Sequence, residues 1–173
     1  MEAVGKSFEC GDIYLPEMMG AAEAMNAGVA VLRPFIEAQD KKELMGGGTV
    51  VLATIQGDMH DIGKNIVKIL MSSAGFDVVD LGKDVKVSEI VEKAEDSDAD
   101  VLGVSALMTT TMGYMPEVVE EMEELGIRDS IVYLVGGAPV TREWAEEIGS
   151  DGYAKDAAEA VRVAKELVKK RAE

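Results

Sequence analysis

From residue 49 onward the sequence repeats one rhythm five times, a short β-branched run followed by an amphipathic stretch, and few folds accommodate it. Residues 49–54, 77–81, 101–106, 131–135 and a weaker 152–154 read as strands. The stretches 61–74, 88–96, 116–125, 141–148 and 157–171 read as the helices that follow them. In the first helix Ile62, Ile66, Ile69 and Leu70 recur at helical spacing, with Lys64 and Lys68 falling off that stripe. Strands that alternate with helices form right-handed crossovers and a parallel sheet covered on both faces. The expected class is therefore α/β, a doubly wound five-stranded parallel sheet of flavodoxin-like or Rossmann-like form with order 2-1-3-4-5.

The segment before this rhythm differs in kind. Residues 15–36 are dominated by Ala, Met, Leu and Val with small residues scattered among them, which predicts a helix built for close packing, with Pro16 at its start. Residues 37–48 begin charged and end in three glycines, a linker signal. Two units are expected, a small helical cap over 1–45 and the α/β domain over 46–173.

Charge and cysteine content narrow the partners. A formal net charge of -16 over 173 residues opposes contact with nucleic-acid backbones or anionic membranes, since either needs a basic face. The single cysteine, Cys10, allows no internal disulfide and no cysteine-based zinc cluster. Glu2, Lys6, Glu9 and Asp12 interrupt any signal-peptide core, and no apolar run approaches the ~20 residues of a spanning helix. A soluble, cytoplasmic protein is expected.

In a sheet of this order ligands collect at the carboxyl ends of strands one and three, where the winding reverses. Strand one runs into Gly57-Asp58-Met59-His60, strand three into Ser105-Ala106-Leu107 and strand four into Gly136-Gly137, so three loops open at one edge. His60 is the only histidine. Asp58, two residues before it on an extended loop, can lie beneath the ring and hold one imidazole nitrogen while the other binds a metal. Ser105, at the end of the adjacent strand, is placed to donate its hydroxyl to that carboxylate. One imidazole is a poor cage for a free divalent ion, but it suffices for a cofactor that brings its own equatorial nitrogens. The same Asp-x-His also suits a capping or satisfied polar role. Gly63 reads either as a turn glycine or as room for a flat ligand, and Gly103, inside a strand, as a close approach by a ligand or another backbone. Gly136-Gly137 reads as a strand-to-helix turn or as part of the same slot.

Taken together, Asp58-x-His60-x-x-Gly63, Ser105-x-Leu107 and Gly136-Gly137 resemble the B12-binding signature of methionine synthase and of methanogen-type corrinoid methyl carriers. The run from Gly57 through Asp61, Ile62, Gly63 and Lys64 to Val67 looks especially like the methylamine and methanol corrinoid proteins. Val4-Gly5-x-x-Phe8 and Tyr14-Leu15-Pro16-Glu17-Met18-Met19 resemble their helical cap, although only about the second half of that bundle precedes the linker. The resemblance implies a cobalamin or related corrinoid whose lower base leaves cobalt and enters the slot, with His60 as the metal ligand in its place. Asp58, His60 and Ser105 would carry the chemistry. Gly57, Met59, Asp61, Ile62, Gly63, Leu107 and Thr109 would contact the cofactor, with Gly103, Gly136, Gly137, Ala154 and Asp156 along its tail. Tyr14, Leu15, Met18 and Ala22, which as sequence alone read as plain core, would cover its upper face.

The implied activity is methyl carriage on cobalt between a substrate-specific methyltransferase and a second methyltransferase that delivers to a thiol or a tetrahydropterin, the chain being a carrier subunit and not a complete enzyme. A reductive activator of the corrinoid is a further expected partner. An incomplete bundle exposes an apolar stripe that should recruit another chain, so a homo-oligomer is also considered. The alternative, a B12-dependent sensor, shares Asp-x-His but calls for an added signalling or DNA-binding region that is not evident in the sequence. A phosphoacceptor or nucleotide module would need a different loop after strand one.

Overall fold

The structure is a computed structural model and describes residues 2–36 and 47–172. Two helices come first, α1 (Glu2–Glu9) and α2 (Leu15–Ile36). The α/β domain then runs β1 (Thr49–Thr54), α3 (Ile62–Ser73), β2 (Asp77–Asp80), α4 (Val87–Asp96), β3 (Val101–Ser105), α5 (Thr109–Met112), α6 (Met115–Glu124), β4 (Val132–Gly136), α7 (Arg142–Glu147), β5 (Gly152–Ala154) and α8 (Ala157–Ala172). All five strands are parallel in the order β2-β1-β3-β4-β5. The expected class and strand order are those observed, and every expected strand and helix is present within a residue or so of its expected ends. α5 was not anticipated: a four-residue turn of Thr109-Thr110-Thr111-Met112 has no periodicity to read, and β-branched threonine disfavours helix.

Strand periodicity divides the core in two. Val51, Ala53, Leu102, Val104, Tyr133 and Val135 face a layer that includes α4 and α6, while Val50, Leu52, Val101, Val132 and Leu134 face α3 and α8. Burying each such valine or leucine contributes roughly 1.5–3 kcal/mol before chain entropy is counted. Tyr133, wholly buried, satisfies its hydroxyl by donating to the Met115 carbonyl at 3.1 Å. On the other side, α1 and α2 pack against α3. The turn into α2 is fixed by Glu17, whose carboxylate accepts from the Tyr14 amide at 2.7 Å, with Pro16 in the first turn where its missing N–H costs nothing.

Two expectations need correction. Lys64 does not lie off the buried stripe of α3: it is 4% exposed, whereas Ile62, expected on the stripe, is 78% exposed. The reason is an ion pair, since Lys64 Nζ donates to Asp80 Oδ1 at the end of β2, and Lys68 Nζ reaches Asp80 Oδ2 at 3.2 Å. Gly47 and Gly48, which close the linker signal, are also not slack. A Cβ on Gly47 would meet the Gly75 carbonyl and the Phe76 ring at 2.9 Å, and one on Gly48 would strike the Asp100 carboxylate, which accepts the Thr49 amide at 2.8 Å. The expected unit boundary at 45/46 falls in 37–46, outside the described residues.

Gly137 has φ +126°, and a Cβ there would collide with the Ala106 carbonyl oxygen. Gly137→Ala is therefore expected to lower unfolding free energy by about 3 kcal/mol, measured by urea denaturation. A second expectation concerns acid. Burial pushes the Asp80 carboxyl upward, but hydrogen bonds from Lys64, the Gly82 amide and Lys68 outweigh it and hold the group below its ordinary value. A depressed carboxyl stabilises the fold above its unfolded pKa and loses that contribution as pH falls through the folded one. Lys64→Met should cost about 2 kcal/mol at neutral pH. The gap from wild type should begin to narrow in urea titrations below about pH 4, the ordinary carboxyl range, and close only once the pH has fallen through the depressed value of the folded wild type.

Candidate functional site: an imidazole at the mouth of a glycine-walled cavity

The loop after β1 is folded tightly around one buried carboxylate. Asp58 is 0% exposed. Its Oδ1 accepts from the His60 amide at 3.0 Å and from His60 Nδ1 at 2.8 Å. Its Oδ2 accepts from the Leu107 amide at 2.7 Å, the Met108 amide at 3.3 Å and Thr111 Oγ1 at 2.8 Å. Burial alone would raise the Asp58 pKa; these donors reverse that and hold the carboxyl far below the usual range. An ionised carboxylate only accepts, so Nδ1 carries the ring proton and the neutral imidazole keeps its lone pair on Nε2.

The His60 side chain is 52% exposed, free to meet a ligand while tethered from behind. Neighbouring groups secure the loop: the Gly57 amide donates to Asp84 Oδ1 at 2.8 Å, the Asp84 amide donates to the Asp58 carbonyl at 3.0 Å, and Thr54 Oγ1 donates to the His60 carbonyl at 3.3 Å.

Behind His60 a cavity of about 470 Å³ runs between the sheet and helices α3 and α8. Met59, His60, Asp61, Ile62, Gly63 and Leu107 stand at one end, Gly103, Ser105, Gly136 and Gly137 along the wall, and Ala154 and Asp156 at the other. These are fourteen expected residues less Asp58, which lies buried beneath the ring, and Gly57, which shapes the loop with φ +81°.

Several expected residues lie elsewhere. Thr109 is exposed at the start of α5 and does not line the cavity; neither do Tyr14, 75% exposed, nor Met18, fully buried. Leu15 and Ala22 are on α2, their side chains outside the description. The expected bond from Ser105 to Asp58 is not formed. Ser105 Oγ instead lies 3.2 Å from Thr54 Oγ1, and Thr111 serves Asp58. The unread α5 turn explains this, because it carries Thr111 back over the carboxylate while Ser105 still belongs to the strand.

The donor set is selective in what it can hold. Among the described residues no group of three or more His, Cys, Asp or Glu could bind a metal ion, so a bare cation would find one imidazole only. A metal that arrives with most of its ligands already in place needs no more than that, and the glycine-walled cavity offers room for a projecting part of such a cofactor. Fold and site together define a doubly wound domain with one carboxylate-backed, half-exposed histidine at the mouth of a glycine-walled cavity.

The chain belongs to the B12-binding family: residues 48–162 match the B12 binding domain, and residues 1–33 match a second B12 binding domain family. It is 48% identical over 168 residues to dimethylamine corrinoid protein 3 of Methanosarcina acetivorans, covering 97% of this chain and 78% of that one. The monomethylamine corrinoid protein of Methanosarcina barkeri superposes with TM-score 0.68 at 40% identity, over 96% of this chain and 77% of that one. The methanol:cobalamin methyltransferase complex MtaBC from Methanosarcina barkeri gives TM-score 0.83 at 34% identity, over 95% of this chain and 61% of that one. The cofactor of the site is thus a cobalamin or related corrinoid.

Thr111→Val, which removes a donor from a buried charge, is expected to destabilise the protein by about 1–3 kcal/mol in urea denaturation. Ser105→Ala should cost clearly less, and the reverse ranking would restore Ser105 as the partner of Asp58.

Proposed function

We propose that this protein carries a methyl group on corrinoid cobalt from a methyltransferase acting on a methylated amine to a second methyltransferase, which delivers it to a thiol or a tetrahydropterin. The observation that carries this reading is His60, its Nδ1 committed to Asp58 and its Nε2 open at the mouth of the cavity. When bound, the corrinoid supplies a cobalt centre that takes up and gives away a methyl group. The rest falls to the chain. His60 would ligate the cobalt through Nε2, with Asp58 and Thr111 orienting the ring and setting its tautomer. Gly103, Ser105, Gly136, Gly137, Ala154 and Asp156, which line the cavity, would hold the base and nucleotide of the cofactor. Exposed Tyr14, with Leu15 and Ala22 of the cap, would cover the cofactor from above, whereas Met18 is fully buried and would not contact it.

A half-exposed imidazole held through its far nitrogen suits a ligand that must bind and release as the methyl group comes and goes. The methylamine corrinoid proteins among the relatives support a methylated amine as the source, and the methanol complex supports a separate methyltransferase as partner. A reductive activator that returns oxidised cofactor to use is the third partner expected.

Since His60 is the only histidine, labelling the protein with [15N]histidine tests the ligand directly. Reduced cob(II)alamin bound to the labelled protein should show a two-line nitrogen splitting by electron paramagnetic resonance in place of the three-line pattern of unlabelled protein. His60→Ala should abolish the difference. A three-line pattern in the labelled wild type would overturn the assignment of His60 as lower ligand.

A further inference from the structure

Thr54 is a wholly buried polar residue whose hydroxyl does more than secure the His60 loop. It ends β1, in register with Ser105 of β3, and its hydroxyl touches two things at once. Oγ1 reaches the His60 carbonyl at 3.3 Å and Ser105 Oγ at 3.2 Å. A carbonyl can only accept, so the Thr54 proton points to His60, and Ser105 supplies its own proton to Thr54. The result is a two-bond chain, Ser105 to Thr54 to the His60 carbonyl, running from the cavity wall to the peptide that bears the imidazole. Ser105 lines the cavity, and Thr54 does not.

We propose that Thr54 is a positioning residue that couples the wall of the tail cavity to the ligand histidine, so that the state of the Ser105 hydroxyl is felt at His60 through a hydrogen-bond relay. This rests on the reading of His60 as lower ligand. Each hydroxyl has one proton to give, so a group in the cavity that donates to Ser105 reinforces the chain by polarisation. A group that accepts from Ser105 takes away the proton Thr54 was receiving. Occupancy of the cavity and the hold on the His60 loop are thereby linked, with no contact between cavity contents and the loop itself.

Cobinamide, a corrin that lacks the nucleotide tail, isolates the relay. With it no tail can meet Ser105, so any effect of Ser105 on His60 must pass through the protein. The measurements are the dissociation constant of cobinamide by absorbance titration and the fraction of cob(II)inamide showing the [15N]histidine two-line splitting, for wild type, Thr54→Val, Thr54→Ser, Ser105→Ala and the Thr54→Val/Ser105→Ala double variant.

Thr54→Val keeps the β-branched shape of the strand residue and should weaken cobinamide binding about fivefold, the scale of one hydrogen bond, with a matching loss of His60-coordinated signal. Thr54→Ser should restore both. Ser105→Ala should weaken binding about two- to threefold alone and have no further effect in the Thr54→Val background, the signature of a shared path. Equal effects of Ser105→Ala in both backgrounds, or a Thr54→Val protein that matches wild type in both measurements, would overturn the relay. Wild-type protein with no two-line signal would remove the lower-ligand reading itself, and the relay with it.

Discussion

The buried Asp58 carboxylate is the constraint on which the rest of the site depends. Removing a carboxylate from water costs several kcal/mol, and only well-aimed donors can offset that. Here five converge on it: the amide and ring of His60, the amides of Leu107 and Met108, and the Thr111 hydroxyl. Two belong to the loop after β1 and three to the segment after β3. Those strands are neighbours because the chain, having laid β2 on one side of β1, reverses and lays β3 on the other. The topology therefore brings the donors together, and the donors keep Asp58 charged. The charge in turn decides which imidazole nitrogen is left free. A change of strand order would disassemble this arrangement without altering one residue of its motif.

Much of this is legible in the sequence because it follows from local pattern. The β-branched runs announce the strands, their alternation with helices announces parallel crossovers, and the order 2-1-3-4-5 places the site at the ends of β1 and β3 before any side chain is considered. What escapes is decided between elements. Ser105, at the end of β3, is the donor to Asp58 that the sequence suggests. A single unpatterned turn at Thr109–Met112 settles the matter in favour of Thr111. Lys64 reads as a surface charge by periodicity, yet Asp80, sixteen residues away on another element, draws it into the wall of the cavity. Likewise Gly47 and Gly48 carry the composition of a linker and the environment of packed backbone, because the partners that fix them, Phe76 and Asp100, lie far along the chain.

The glycines of the cavity differ in a way the sequence cannot display. A Cβ on Gly103 would meet Leu52 Cδ2 at 2.6 Å, and one on Gly136 would meet the Ala154 carbonyl at 2.9 Å. Those two, with Gly137, are required by the packing of the sheet whether or not anything fills the space beside them. Gly63 is not. A side chain there would touch nothing within 4 Å, and the residue sits in the first turn of α3, where alanine would favour the helix by up to about 1 kcal/mol. The fold alone thus gives no reason for glycine at 63. Its neighbours His60 and Ile62 are exposed beside it, at the mouth of the cavity. The absence of a side chain is what the proposed approach of a flat cofactor to Nε2 of His60 would require. Of all the glycines in the signature, the one that the protein itself does not need speaks most directly for the ligand.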